Sequence, residues 1–137
     1  GEFIRLLGEA GFAVTRYDAG RETVRTVAPA AALRAQHDAI LYFASLKTAS
    51  NQTTVRLNWG IPLAFDAPHH IHELPTLFIS IDNPYHLQDV PRVKTFVNAY
   101  TSNGYAVEAG GDKLLGRSPF TGQSPVDPTC GGWDARL

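Results

Sequence analysis

The chain has 137 residues and a mass of 14.9 kDa, which is the size of one domain and too short for a complete (β/α)₈ barrel of about 250 residues. Hydrophobic residues make up 44% and charged residues 18%, a globular composition that argues against disorder. The 12 basic and 13 acidic residues leave a formal charge of −1, which argues against binding to nucleic acid or to an anionic membrane.

Targeting and redox features are sparse. No apolar run approaches the roughly 18 residues of a transmembrane helix and no secretory signal is seen, so we expect no membrane partner and a cytoplasmic location. Cys130 is the single cysteine, so no internal disulfide is expected. The chain starts at Gly1 and contains no Met, which predicts a processed, tagged or partial sequence.

The N-terminal part predicts helix, strand and helix. Apolar residues at Phe3, Leu6, Leu7 and Ala10 form one stripe of an amphipathic helix that Gly11 would end. The composition and alternation of Phe12–Tyr17 favour a strand. A second helix is expected to begin after Pro29 and to include the Ala-rich stretch from Ala30 to Gln36.

Two apolar runs, Ala39–Ala44 and Thr76–Ile81, have the pattern of strands buried on both faces of a parallel sheet. A third strand is predicted within Val93–Tyr100. A last helix, capped by Ser102 or Asn103, would run to about Leu115.

Strands that alternate with helices predict an α/β fold, a three-layer αβα sandwich with a mostly parallel, doubly wound sheet. We expect this domain to occupy residues 1–116, followed by an extended tail over 117–137 that is rich in proline and glycine. A doubly wound sheet usually begins with a strand, whereas this chain begins with a helix. The usual first strand is therefore expected to be absent; the alternative is a fold that starts with a helix.

Polar and aromatic side chains follow the predicted strands. Ligands of doubly wound sheets bind beyond the carboxyl ends of the strands, and loops there carry a large share of binding residues. These side chains would touch a substrate or face a catalytic domain, although they could equally be ordinary loop residues. The candidates are Lys47, Ser50, Asn51, Arg56, Asn83, Tyr85 and His86.

Other chemistry-bearing residues give weaker signals. His69, His70, His72 and Glu73 could in principle hold Zn²⁺, but their spacing is poor, so we expect no metal and no cofactor. The carboxylates that could do acid–base work are expected instead to be solvated or to cap backbone groups; they are Asp66, Glu73, Asp82, Asp89 and Glu108. The chain has no Gly-x-Ser-x-Gly elbow and no Walker loop.

Several motifs together resemble the C-terminal α/β domain of glycoside hydrolase family 3. They are Asn83–Pro91 followed by Phe96–Tyr100, and Leu114–Gly122 followed by Ser124–Val126. Two further segments, Lys47–Thr54 and Asp127–Leu137, are similar to the bacterial β-N-acetylhexosaminidase branch of the family. The resemblance covers nearly the whole chain.

The resemblance implies a two-domain retaining enzyme that removes terminal β-linked N-acetylglucosamine from cell-wall or chitin fragments. In the family an aspartate of the barrel domain attacks the anomeric carbon, and in this branch a histidine on a barrel loop serves as acid and base. The barrel signature Lys-His-Phe-Pro-Gly-His-Gly is absent from this sequence. The resemblance therefore assigns no catalytic residue here and implies an accessory domain, inactive on its own, whose partner is the catalytic barrel.

Two other functions stay open: a stand-alone module that binds carbohydrate or nucleotide, and a self-contained hydrolase. We also expect the position of the absent strand to be filled by another chain or closed by rearrangement. A surface that faces a barrel would be apolar and would favour self-association of the isolated chain. The candidate residues for that surface are Trp59, Phe65, Ile71 and Tyr85, although each could equally belong to the core.

Overall fold

A computed structural model describes residues 1–17, 28–47, 56–59 and 67–132. The elements in chain order are α1 (Glu2–Glu9), α2 (Ala30–Gln36), β1 (Ile40–Ser45), β2 (Thr76–Ile81), a 3₁₀ helix (Pro84–Asp89), β3 (Thr95–Ala99) and α3 (Gly104–Leu114). The strands form one parallel sheet in the order β1-β2-β3. The predicted α/β class with a parallel sheet is confirmed.

The central strand β2 is the most buried element of the described chain. It pairs with β1 over its whole length and with β3 from Leu77 to Ile81. Every residue of β2 except the half-buried Leu77 is buried. A strand that is covered on both faces reads as a continuous apolar run, and this is why composition located β2 correctly.

The two faces of the sheet are covered by different kinds of structure. On one face, Phe78 stacks between Tyr42 of β1 and Phe96 of β3, with ring centroids 6.0 and 5.3 Å apart. Irregular segments complete this cluster through Ile71 and Val93. Neighbouring strand residues point to opposite faces, so Phe43, Ile79 and Val97 line the other face, beneath α1 and α3.

Helices α1 and α3 pack on each other at a glycine. A Cβ atom added to Gly111 would lie 3.2 Å from Cδ1 of Leu6, closer than such atoms normally approach. Glycine within a helix costs roughly 1 kcal/mol relative to alanine, so its presence here has a packing reason. Asn103 caps α3 by accepting a hydrogen bond from Ala106 N at 2.8 Å, as one of the two predicted caps.

The predicted strand at Phe12–Tyr17 is wrong. These residues follow Gly11, which ends α1 with a φ of 92°, and they form neither helix nor strand. Phe12, Val14 and Tyr17 are 58%, 41% and 57% exposed. Alternating apolar residues form a strand only where a neighbouring strand pairs with them, and none of the described strands does so.

Strand β1 is also less buried than its sequence predicts. Its burial alternates between half-buried and exposed up to Phe43, and of its six residues Ala44 alone is buried. The reason is position: β1 pairs with β2 on one side, and no described strand lies on its other side. The apolar pattern of an interior strand therefore stands at the edge of the described sheet.

Of the predicted apolar patch, Tyr85 is 44% exposed, Trp59 is half-buried, and Phe65 lies outside the described residues. Ile71 is 7% exposed and packs in the core instead, against the Phe78 cluster. No helix of the described segments is long and apolar enough to cross a membrane.

The C-terminal segment is tied to the sheet by polar contacts. Tyr100 Oη and Ser124 Oγ lie 3.0 Å apart, and the Gln88 amide donates a hydrogen bond to the Pro128 carbonyl. Residues 117–132 contain no helix or strand. The division of the chain at residue 116 stays a prediction.

We expect Phe78→Ala to lower the free energy of unfolding by about 3–5 kcal/mol, because the lost ring leaves a cavity between two stacked aromatic neighbours. Tyr105→Ala removes an aromatic ring that is 85% exposed and should change stability by less than about 0.5 kcal/mol. Urea unfolding of the two variants measures both values. Equal losses would contradict the placement of Phe78 in the core.

Candidate functional site

The carboxyl ends of the three strands form one edge of the sheet, and the described candidate residues lie at this edge or are joined to it. Lys47 follows β1, and Asn83, Tyr85 and His86 follow β2. Arg56 is joined to the same region by an ion pair with Asp89 of the 3₁₀ helix. The structure therefore brings together all five described candidates, while Ser50 and Asn51 lie outside the described residues.

The turn after β2 is held by an unusual backbone and a buried cap. Asp82 has a φ of 68°, which Asp tolerates better than most residues, and its N–H donates to the Ala99 carbonyl at 2.9 Å. Asn83 Oδ1 then accepts a hydrogen bond from Tyr85 N at 3.0 Å and caps the 3₁₀ helix. The turn leaves Tyr85 44% exposed at this edge.

A buried hydrogen-bond chain supports this turn from below. Ser80 Oγ donates to the Asn83 carbonyl at 2.6 Å and lies 2.7 Å from Nδ1 of His86. A hydroxyl has one proton to donate, so the His86 Nδ1–H donates to Ser80, and Nε2 carries the lone pair. His86 is fully buried, and no hydrogen-bond partner from the described residues reaches its Nε2. The predicted loop residue His86 is therefore a structural support and is not available to a ligand.

Two carboxylates at this edge are paired with cations. Asp82 Oδ2 lies 3.6 Å from Lys47 Nζ, and the Asp82 side chain is 11% exposed. Asp89 bonds the Arg56 guanidinium with Oδ1 and accepts the Leu57 N–H at 3.1 Å with Oδ2. Asp89 thus fixes the described segment 56–59 against the 3₁₀ helix. The ion pair also raises the pKa of Arg56, chiefly through its hydrogen bond to Asp89.

The histidine-rich segment does not form a metal centre within the described chain, where no group of three or more metal-binding side chains converges. His70 is 2% exposed and stacks on Tyr42 at 6.1 Å, and neither of its ring nitrogens has a hydrogen-bond partner among the residues that the structure describes. It packs as an aromatic ring. His69 Nδ1 lies 3.2 Å from the Ala67 carbonyl, so this neighbour makes a local backbone contact instead.

Burial lowers the pKa of both His70 and His86 below the ordinary value of 6.5. For His70 the charge of His69 acts in the same direction, while Glu73 opposes it. For His86 the carboxylate of Asp89 opposes the effect of burial, and Arg56 reinforces it. Both imidazoles are therefore neutral in the folded chain at neutral pH.

We expect the chain to lose stability as the pH falls below about 6.5. Both histidines bind a proton less readily when folded, so the unfolded chain takes up more protons in that range and becomes favoured. Urea unfolding at about pH 8 and about pH 5.5 measures the slope.

The variant His86→Gln should be less stable at neutral pH and should show a smaller loss on acidification. The matched control His72→Gln changes an exposed histidine that precedes β2 and should change the stability at neutral pH by less than about 0.5 kcal/mol. A slope unchanged by His86→Gln would contradict a buried neutral His86.

Two variants of Asp89 separate the energetic contributions of its ion pair and its backbone hydrogen bond. Asp89→Asn removes the ion pair and keeps an oxygen for Leu57 N, so we expect a loss below about 1 kcal/mol because Arg56 is mostly solvated. Asp89→Ala also leaves that N–H without an acceptor and should cost about 1–2 kcal/mol more. Chemical unfolding compares the two variants, and equal losses would show that the backbone contact contributes nothing.

Sequence patterns located the residues at this edge but did not predict the contacts that hold them in place. Ser80 stands in an apolar strand and gave no signal. Asp82 and Asp89 were expected to be solvated or to cap backbone groups; Asp89 accepts a backbone N–H, and both pair with cations. The contact between Arg56 and Asp89 joins residues 33 positions apart, so no local pattern could indicate it.

Comparisons with known proteins place the chain in a family. No family model matches it. It is 45% identical over 136 residues to a β-N-acetylglucosaminidase/β-glucosidase of Cellulomonas fimi, an alignment that covers 99% of this chain and 24% of the relative. It also superposes on a structure titled β-glucoside phosphorylase BglX bound to 2FGlc, with a TM-score of 0.75 and 43% identity.

The superposition covers 94% of this chain and 22% of that structure. The chain therefore spans about a quarter of the length of the proteins it matches. Sequence identity above 40% over nearly the whole chain confirms the resemblance that the motifs indicate. The chain belongs to glycoside hydrolase family 3 and corresponds to a part of an enzyme of that family.

Proposed function

We propose that this chain is the accessory α/β domain of a family 3 β-N-acetylglucosaminidase and that the catalytic groups lie elsewhere in the parent enzyme. The observation that carries the proposal is the 45% identity over 99% of the chain to a relative named for that activity, of which the chain spans 24%. The substrate class we propose is terminal β-linked N-acetylglucosamine in cell-wall or chitin fragments.

The chemistry of the described edge supports a role other than catalysis. Retaining hydrolysis needs a nucleophile and an acid–base group on opposite sides of the scissile bond, and in most families both are carboxylates. Asp82 and Asp89 are both committed to cations, and Asp89 also holds a backbone N–H. Carboxylates used in this way are suited to fixing loops. The described part of the site therefore favours positioning over bond cleavage.

We propose that the partner of this edge is the catalytic barrel of the parent enzyme. Lys47 and Arg56 keep 64% and 56% of their side chains exposed, although each has an acidic partner, and Tyr85 is 44% exposed beside them. Aromatic and arginine side chains are enriched in protein interfaces. Held by buried Ser80 and His86, the turn that carries Tyr85 offers a preformed surface.

The names of the two relatives describe two different acceptors of the glycosyl group. One relative is named as a glycosidase, in which water accepts the glycosyl group, and the other as a phosphorylase, in which phosphate does. We propose hydrolysis, because the sequences of Lys47–Thr54 and Asp127–Leu137 are similar to the β-N-acetylhexosaminidase branch of the family. An assay of activity has to include phosphate to separate the two.

We expect the purified chain to release no 4-nitrophenol from 4-nitrophenyl N-acetyl-β-glucosaminide or the matching β-glucoside, with or without phosphate. The Cellulomonas fimi relative serves as the positive control under the same conditions. Turnover by a chain whose mass is verified as 14.9 kDa would overturn the proposal. In that case Glu73→Gln and Glu108→Gln would test two of the exposed acidic side chains of the described structure.

A further inference from the structure

The 3₁₀ helix Pro84–Asp89 is attached to the sheet through a buried histidine. The ring of His86 is fully buried, and its Nδ1–H donates to Ser80 Oγ of β2 at 2.7 Å. A 3₁₀ helix has hydrogen bonds of poorer geometry than an α-helix, and this one is short. Its position therefore depends on the contacts that its side chains make with the rest of the chain.

Protonation of this ring would create a charge that no described residue stabilises with a hydrogen bond. Nε2 carries the lone pair of the neutral imidazole, so an added proton would bind there. Among the described residues, no hydrogen-bond partner reaches that nitrogen. A buried charge without a partner is far less stable than the same charge in water. An acidic solution therefore favours a conformation in which the ring of His86 is exposed.

The charged groups around His86 do not remove this cost. Asp89 of the same helix favours the imidazolium, but its carboxylate already accepts hydrogen bonds from Arg56 and from Leu57 N. Arg56 opposes the imidazolium, and β2 faces the ring with the uncharged Ser80. Burial is the largest of these effects, and it lowers the pKa of His86.

The helix can leave the sheet without disrupting the apolar core. His86 is the one buried residue of the helix, so release exposes no buried apolar side chain. Asn83 is 7% exposed just before the helix, and Val90 is 4% exposed just after it. These two anchors lie outside the helix and can stay in place. The remaining described ties of the helix are polar contacts of Gln88 and Asp89.

We propose that His86 is a proton-sensitive attachment of this helix to the sheet: when the imidazole takes up a proton, Pro84–Asp89 leaves β2 while the three strands stay paired. Tyr85 directly precedes His86, so the same release moves the exposed ring of Tyr85 at the carboxyl edge. The shape of that edge thus differs between neutral and acidic solution. This inference concerns the described chain and does not depend on the proposed function.

Native-state hydrogen exchange of the unmodified chain at about pH 7.5 and about pH 5.5, corrected for intrinsic rates, tests the proposal. The amides of Tyr85 and Val90 report on the helix, because they donate to Asn83 Oδ1 at 3.0 Å and to the Leu87 carbonyl at 3.2 Å. Their protection should fall about tenfold at the lower pH, since one proton bound at the ordinary pKa of 6.5 favours the open form by that factor.

The amide of Ile79 in β2 distinguishes local release from unfolding of the sheet. The protection of Tyr85 and Val90 should lie below that of Ile79 at both pH values, because the helix opens before the strands separate. Protection of Tyr85 and Val90 that does not change with pH, or that equals the protection of Ile79, would overturn the proposal.

Two variants separate the proton from the hydrogen bond. His86→Asn keeps a side-chain N–H for Ser80 and takes up no proton in this range, so the change with pH should shrink to less than about twofold. The matched variant Ser80→Ala removes the acceptor of that bond and keeps the imidazole. It should lower the protection of Tyr85 at both pH values and keep the dependence of about tenfold.

A dependence on pH that survives in His86→Asn, or one that Ser80→Ala abolishes, would overturn the proposal. Should a variant fail to fold, the exchange of the unmodified chain still decides.

Discussion

The burial of β2 between two parallel neighbours is the constraint on which the rest of the described structure depends. Its alternating side chains supply the middle of the aromatic cluster on one face and of the surface beneath α1 and α3 on the other. A strand in this position satisfies its own backbone groups and those of the inner edges of β1 and β3. Without it, neither neighbour would have a partner in the described sheet.

The same strand sets the position of the candidate site. Because all three strands run in parallel, Lys47, Asp82 and Tyr100 emerge at one edge. Ser80 carries a hydroxyl group between the apolar residues at the end of β2. This hydroxyl connects the strand to the following turn through its contacts with the Asn83 carbonyl and with His86. The geometry at the edge is thus determined by the core beneath it.

Two surfaces of the described chain have different characters. The carboxyl edge is polar, and its charges are neutralised in pairs that involve Asp82 and Asp89. The outer edge of β1 carries no charge and offers backbone groups with apolar flanks. The carboxyl edge is the surface that we propose to face the catalytic barrel of the parent enzyme.

Sequence patterns correctly predicted a strand that is buried on both faces and helices whose ends carry a typical capping or terminating residue. Helix α1 with Gly11, strand β2 and helix α3 with Asn103 are examples. The predicted strand at Phe12–Tyr17 is wrong because alternating apolar residues indicate which side chains a strand would bury. They do not show whether a neighbouring strand is present to pair with it.

The supports of the site were harder to predict for a different reason. His86 looked like an exposed loop residue, since local sequence contains no signal that a loop will fold back onto a serine of the preceding strand. The ion pair between Arg56 and Asp89 depends on the path of the chain between them. Contacts of this kind follow from tertiary structure and have no local periodicity.

Native-state hydrogen exchange, read residue by residue, tests the central role of β2 most directly. The amides of Phe78 to Ile81 should exchange most slowly, at a free energy equal to that of global unfolding, because they open only when the whole sheet does. Those of Phe12–Tyr17 should exchange at far lower free energies. Protection in that segment equal to that of β2, or exchange in β2 well below the global value, would contradict a sheet organised around β2.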